Sequence, residues 1–201
     1  MKALLIIDVQ NDFLPGGSLA VPSGNEIIPV INKIQEKFDL VLATQDWHPS
    51  SHKSFASNHD GRVAFETVEL KGLNQVLWPD HCVQGSYGAE LSSEIDWKRS
   101  EVVIRKGTDP EIDSYSGFYD NGHLKSTGLA GLLKDRKIKS IYVAGLAADY
   151  CVYFTALDAI SAGFDTFFIE DATRAIDAKG VQEARKDLVV RGAKIITSDE
   201  L

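Results

Sequence analysis

Cysteine is scarce in this chain: Cys82 and Cys151 are the only two among 201 residues. Two thiols are too few for a fold stapled by disulfides, and no Asn-x-Ser/Thr sequon accompanies them, so a reducing compartment is expected. Runs of lysine and arginine are missing as well. Acidic residues outnumber basic ones 29 to 21, for a net charge of -8, which excludes a surface built to follow a phosphate backbone. The longest apolar stretch, from Ile141 to Ile160, is broken by Asp149 and Asp158, and a bilayer span tolerates no such interruption. The N-terminus, MKALLIIDVQ, meets an acidic residue before a signal-peptide core can form. These absences predict a cytoplasmic protein with neither nucleic acid nor membrane as partner, and leave a small molecule as the expected ligand. Also absent are Gly-x-Ser-x-Gly, the Walker A loop, Gly-x-Gly-x-x-Gly, HExxH and Cys-x-x-Cys, which weakens the reactions those motifs serve.

What is present is a core-forming pattern. With 44% hydrophobic residues, the chain has material for one large core and too little length for two ordinary domains, so residues 1–201 are read as a single domain. Short apolar, β-rich runs recur at Ala3–Ile7, Leu40–Thr44, Val102–Arg105, Ile141–Ala144, Thr166–Ile169 and Lys194–Thr197. Helix-period segments lie between them, with Ile27, Ile31, Ile34 and Phe38 on one face and Val181, Ala184 and Leu188 on another before Gly192. Alternation of this kind predicts an α/β fold, a doubly wound sheet of six mainly parallel strands with helices on both faces. One region departs from it. Residues 45–100 form a long connection rich in His, Ser, Asn, Pro and Trp, with a short helical hint at Ala89–Ile95, and connections that long usually carry function.

The reactive residue types fall at the carboxyl ends of these strands: Asp8 after the first, Asp46 and His48 after the second, Lys106 after the third, Cys151 after the fourth. That edge is where open parallel sheets bind ligands. Cys151 opens the apolar helix CVYFTALDAISAG, where unpaired N–H groups and the helix dipole favour a thiolate; a buried, inert cysteine is the alternative. Asp8 could take and return a proton beside such a thiol, or could simply form a turn. Lys106 could stabilise the thiolate, or be a solvated charge. Asp46, His48, His52 and His81 are types that bind divalent metals. Phe13, Trp47 and Trp78 could wall a flat ring, or pack the core.

The strings IIDVQNDFLPGG, TQDWHPSSHKSF, WPDHCVQGS, KGTDPEIDSYSGF and GLAADYCVYFTALDA, in this order, resemble the nicotinamidases (pyrazinamidases) of the isochorismatase-like cysteine hydrolases. The resemblance implies an enzyme that hydrolyses nicotinamide to nicotinate and ammonia, and pyrazinamide too, through a cysteine thioester, as a step of NAD salvage. It implies Asp8, Lys106 and Cys151 as the catalytic set and an oxyanion hole from the backbone N–H groups of Ala147 and Cys151, with a non-proline cis peptide at Leu146–Ala147. It further implies Asp46, His48 and His81 as ligands of one divalent ion and Phe13 and Trp78 beside the substrate ring. Zinc is the first choice for that ion, although one Asp and two His also suit manganese or iron. Ala148 stands where relatives commonly carry Thr. A metal-independent amidohydrolase of N-carbamoyl or other small amides is the rival, and the Asp46–His48–His81 set speaks against it. Participation of His52 in the metal site, preference between the two amides and assembly as a homo-oligomer are not specified at this level.

Overall fold

Six apolar runs become parallel strands of one central sheet in the computed structural model, which describes residues 1–201. In chain order the strands are β1 (Lys2–Ile7), β2 (Leu40–Asp46), β3 (Thr67–Leu70), β4 (Leu73–Val76), β5 (Ser100–Lys106), β6 (Ser140–Gly145), β7 (Asp165–Thr173) and β8 (Lys194–Ile196). The helices are α1 (Ile27–Ile34), α2 (Leu129–Asp135), α3 (Cys151–Ser161) and α4 (Ala178–Val190). The central sheet runs β5-β2-β1-β6-β7-β8, with every neighbouring pair parallel. β1 lies in the middle, with Ile6 opposite Ala43 on one side and Ala144 on the other. The chain winds outward from β1 through β2 to β5, then returns to β6 on β1's other flank, which makes the carboxyl ends of β1 and β6 the switch point where ligands bind in such sheets.

Alternation along β1 builds both halves of the core. Leu4 and Ile6 face one apolar layer with Ile27, Ile31 and Ile34 of α1, while Leu5 and Ile7 face the other with Leu129, Val152, Ala156 and Leu188 from α2, α3 and α4. Each of these large side chains is fully buried, a contribution of about 1.5–3 kcal/mol apiece. α1 accommodates Pro29 because the proline falls in the first turn, where its missing N–H has no intrahelical acceptor. α4 ends shortly before Gly192, whose φ of +102° suits the left-handed turn that closes a helix.

The long connection holds an element not expected from the sequence, an antiparallel hairpin of β3 and β4. The helix anticipated at Ala89–Ile95 does not form. Its backbone is engaged elsewhere: Asn11 N–H donates to Glu90 O at 3.1 Å, Ser92 N–H donates to Val9 O at 2.8 Å, and Leu91 bridges Gln10. These long-range partners satisfy the peptide groups that a helix would have used. No helix of the structure is long and apolar enough to cross a membrane.

Candidate active site

Four strand ends converge. β1 delivers Asp8 in a left-handed conformation with φ of +47°, one that Asp tolerates better than most side chains. β2 ends on Asp46, β5 ends on Lys106, and the turn after β6 places Cys151 as the first residue of α3. All four are buried. The Lys106 ammonium joins them: Nζ lies 2.5 Å from Asp46 Oδ1 and 2.8 Å from Asp8 Oδ2, and donates to Ser114 O at 2.9 Å and Cys151 Sγ at 3.3 Å. Asp8, Asp46 and Cys151 present their reactive atoms within 4.8 Å of one another.

Burial and charge set the protonation of this cluster. Burial works against the Lys106 charge, but Asp46 and Asp8 outweigh it and hold the ammonium well above the ordinary lysine range. For Asp8, burial raises the carboxyl above its usual value; Lys106 opposes the rise and Asp46 adds to it. Burial also pushes the Cys151 thiol well up, with Lys106 pulling it down and the two aspartates raising it again. Burial thus opposes the thiolate that the place of Cys151 at a helix start favours, and Lys106 supports it.

A second group adjoins the first. Asp46, His48 and His81 offer ligand atoms within 4.8 Å of one another. Each imidazole is oriented through its far nitrogen: His48 Nδ1 donates to Gly107 O at 2.9 Å and His81 Nδ1 donates to Pro79 O at 2.8 Å. Nε2 is thereby left with its lone pair toward Asp46 in both rings, the arrangement found in metal-binding histidines. The Nε2–Oδ2 separations of 3.5 and 3.9 Å exceed a hydrogen bond but suit donors around one ion with bonds of about 2.0–2.1 Å. Charge agrees, because Asp8 and Asp46 against one ammonium leave a buried excess of negative charge that a divalent cation offsets. For Asp46, burial raises the carboxyl, yet Lys106 holds it far below the usual range, ready to ligate; burial brings His81 down to about 4. His52 stands in a neighbouring group with His48 and Asp113, its Nδ1 bonded to the Ser54 hydroxyl at 2.7 Å.

Above the cluster lies a narrow, largely apolar cleft reaching Cys151 and Asp46 and walled by Phe13, Trp78, Tyr115, Tyr150 and Ile176. The aromatic walls brace one another: Trp78 Nε1 donates to Tyr115 Oη at 3.2 Å, and Tyr150 meets Trp78 edge-on with ring centroids 4.8 Å apart. The Leu146–Ala147 peptide at the cleft is cis. The backbone N–H groups of Ala147 and Cys151 donate no hydrogen bond within the protein, leaving two free donors. Ala148 is not free in this way, since its N–H donates to Arg174 O at 2.7 Å.

Phe13 and Trp78 thus line the cleft, but Trp47 does not; its ring lies under the Arg105 guanidinium at 3.9 Å. Cys82 and Cys151 are both free. His59 is bonded to Lys53 O and His123 to Asp158, away from the cluster. Sequence reasoning missed Tyr115, Tyr150 and Asp113 in the cleft. It also missed Gln10, whose amide bonds both Asp46 N–H and Asp46 O at 2.8 Å, and Thr44, whose hydroxyl donates to Asp8 Oδ1 at 2.6 Å. The signal for these two was a polar residue two places from a reactive one, Thr44 before Asp46 in β2 and Gln10 after Asp8.

Residues 2–200 match the Isochorismatase domain family. The chain is 48% identical to the nicotinamidase of Acinetobacter baylyi, with 98% of this chain and 92% of that one covered. It is 43% identical to that of Escherichia coli over 98% and 94%. Among solved structures, the nicotinamidase/pyrazinamidase of Acinetobacter baumanii superposes with a TM-score of 0.97 at 46% identity, covering 99% of this chain and 97% of that one. The yeast nicotinamidase bound to the inhibitor nicotinaldehyde gives 0.94 at 31%, with 98% and 100% covered. The Pyrococcus horikoshii pyrazinamidase in complex with zinc gives 0.80 at 37%, with 98% of each covered. Similarity of this extent, spanning every strand that carries the site, places the chain in the isochorismatase family, among its nicotinamidases.

Proposed function

We propose that this protein hydrolyses nicotinamide to nicotinate and ammonia, and accepts pyrazinamide, with Cys151 as nucleophile. The observation that carries the reading is the Asp8–Lys106–Cys151 cluster at the floor of a flat, apolar cleft. Nearly full-length identity to nicotinamidases supports the substrate.

Asp8 takes the thiol proton as Sγ attacks the carboxamide carbon. Burial raises the Asp8 pKa, which makes it a stronger base than a solvated carboxylate. Lys106 holds the developing thiolate. The free N–H groups of Ala147 and Cys151 donate to the oxyanion, each donor worth about 3 kcal/mol. Asp8 then returns the proton to the amide nitrogen, the C–N bond breaks, and ammonia leaves a thioester. In the second half, water adds to the acyl carbon, Asp8 takes one of its protons and passes it to Sγ, and the C–S bond breaks to free the acid. Phe13 and Trp78 hold the ring between them and keep the cleft dry, which strengthens each charge interaction inside it.

Asp46, His48 and His81 would hold one divalent ion, zinc first, with manganese and iron as alternatives. When bound, it supplies a Lewis acid toward the ring nitrogen of the substrate and so orients the amide over the sulfur. Zinc in the Pyrococcus horikoshii relative supports that order. The test is ammonia release from nicotinamide by purified protein, run beside Cys151→Ala and a chelated sample. A metal-loaded wild type that leaves nicotinamide intact refutes the substrate.

A further inference from the structure

Helix α3 begins without a side-chain cap, and the Ala147 and Cys151 N–H groups just before it and at its start donate no hydrogen bond within the protein. The loop after β6, residues 146–150, is therefore not held through these groups. An oxyanion hole stabilises charge only when its donors are fixed beforehand, so the loop needs anchors of another kind.

Anchors come from both sides. Where the loop leaves β6, Leu146 N–H donates to Ile7 O at 2.8 Å. Its middle is tied to the loop after β7, which lies alongside because the sheet pairs Gly145 with Thr173. Ala148 N–H donates to Arg174 O at 2.7 Å. The half-buried Asp149 carboxylate accepts from Ile176 N–H at 3.0 Å through Oδ1 and from Asp177 N–H at 2.8 Å through Oδ2. Each of its oxygens thus has its own backbone donor, which is the bonding of a clamp and not of a solvated surface charge. The clamp joins two parts of one cleft, since Ala147, Cys151 and Ile176 all line it. No step of the mechanism uses Asp149.

We propose that Asp149 is a positioning residue: by bonding the Ile176 and Asp177 N–H groups it fixes the loop after β6 so that the Ala147 and Cys151 donors meet the carbonyl oxygen as charge develops there. The proposal rests on the nicotinamidase reading, which gives those donors their task, and adds a side chain that stands outside the cleft lining. Ring binding is a separate matter, because Phe13 and Trp78 belong to other loops, after β1 and β4. A displaced loop therefore weakens the transition state more than the ground state, and the loss falls on kcat rather than KM.

Asp149→Ala removes both acceptors, and Asp149→Asn keeps one at nearly the same volume. A misplacement of about 1 Å costs about 10²-fold in rate. The kcat for nicotinamide should therefore fall about 10²-fold in the alanine variant and about ten-fold in the asparagine variant, with KM within about two-fold of wild type. Two ligands separate positioning from general damage. Nicotinate binds without a bond to sulfur. Nicotinaldehyde takes Sγ on its aldehyde carbon, the C=O π pair moves to the oxygen that faces the two donors, and the thiol proton passes to Asp8. Its inhibition constant should rise in step with the fall in kcat, while the nicotinate Kd stays within about two-fold. Wild-type kcat in Asp149→Ala, or in Asp149→Asn where the alanine variant does not fold, overturns the proposal, and so does an equal loss of affinity for both ligands. Failure of the metal-loaded wild type to release nicotinate from nicotinamide refutes the nicotinamidase reading instead, so the two failures are distinct.

Discussion

Replacing Thr44 by valine removes one hydroxyl and almost no volume from a fully buried position. That hydroxyl donates to Asp8 Oδ1 at 2.6 Å and accepts the Asp8 N–H at 3.2 Å. The first bond favours the ionised carboxylate and so lowers the Asp8 pKa; its loss raises that pKa further above the ordinary value. A hydrogen bond to a charged group is worth about 1.5–3 kcal/mol, and one pKa unit corresponds to about 1.4 kcal/mol, so the displacement is about one to two units. Below its pKa Asp8 is protonated and cannot accept the thiol proton. The acidic limb of the kcat/KM profile for nicotinamide therefore moves to higher pH by about one to two units, while the rate at the plateau changes little. The assay is ammonia release across the acidic range, with Thr44→Ser as the variant that restores the hydroxyl and the limb. Thermal unfolding provides a second readout, because the Asp8 N–H loses its acceptor at a cost of about 1–3 kcal/mol, about 2–4 °C per kcal/mol for a chain of this size. A stable Thr44→Val protein whose acidic limb stays in place shows that Asp8 is not the base.

Cys151→Ala should lower kcat by about 10⁴-fold or more while retaining the fold and nicotinamide binding by calorimetry; residual turnover near wild type removes Cys151 from the mechanism. Metal removal by a chelator should raise KM for nicotinamide at least as much as it lowers kcat, with recovery on adding zinc, and metal analysis should show one ion per chain. A kcat loss alone would place the ion's contribution in the chemical step. Gly107→Ala should empty the metal site, since a Cβ there would meet the His48 ring at 2.3 Å and the residue's φ is +64°; full metal content in this variant contradicts the role assigned to His48. Lys106→Met, which removes the ammonium between two buried carboxylates, should abolish activity and lower stability by about 3–5 kcal/mol, measured by denaturant unfolding.

The sequence by itself determined the architecture and the reactive residue types. Continuous apolar runs at Leu4–Ile7 and Ile141–Ala144 require burial on both faces, the helix-period segments between them require crossovers, and together they bring Asp8, Asp46, Lys106 and Cys151 to one sheet edge. Local periodicity encodes that much because each element must hide its own apolar face. Tertiary structure decided what depends on pairs distant in the chain. Thr44 and Asp8 are 36 residues apart, as are Gln10 and Asp46, and Trp78 and Tyr115 are 37 apart; no local pattern marks such partners. The same holds for Trp47, which stacks beneath Arg105 rather than in the cleft, and for Ala89–Ile95, where Glu90, Leu91 and Ser92 bond residues 9–11. The surroundings that act on the Cys151 thiol likewise belong to the tertiary structure. A helix start argues for a thiolate from local geometry, whereas the depth of burial and the opposed charges of Asp8, Asp46 and Lys106 arise only when four strands meet.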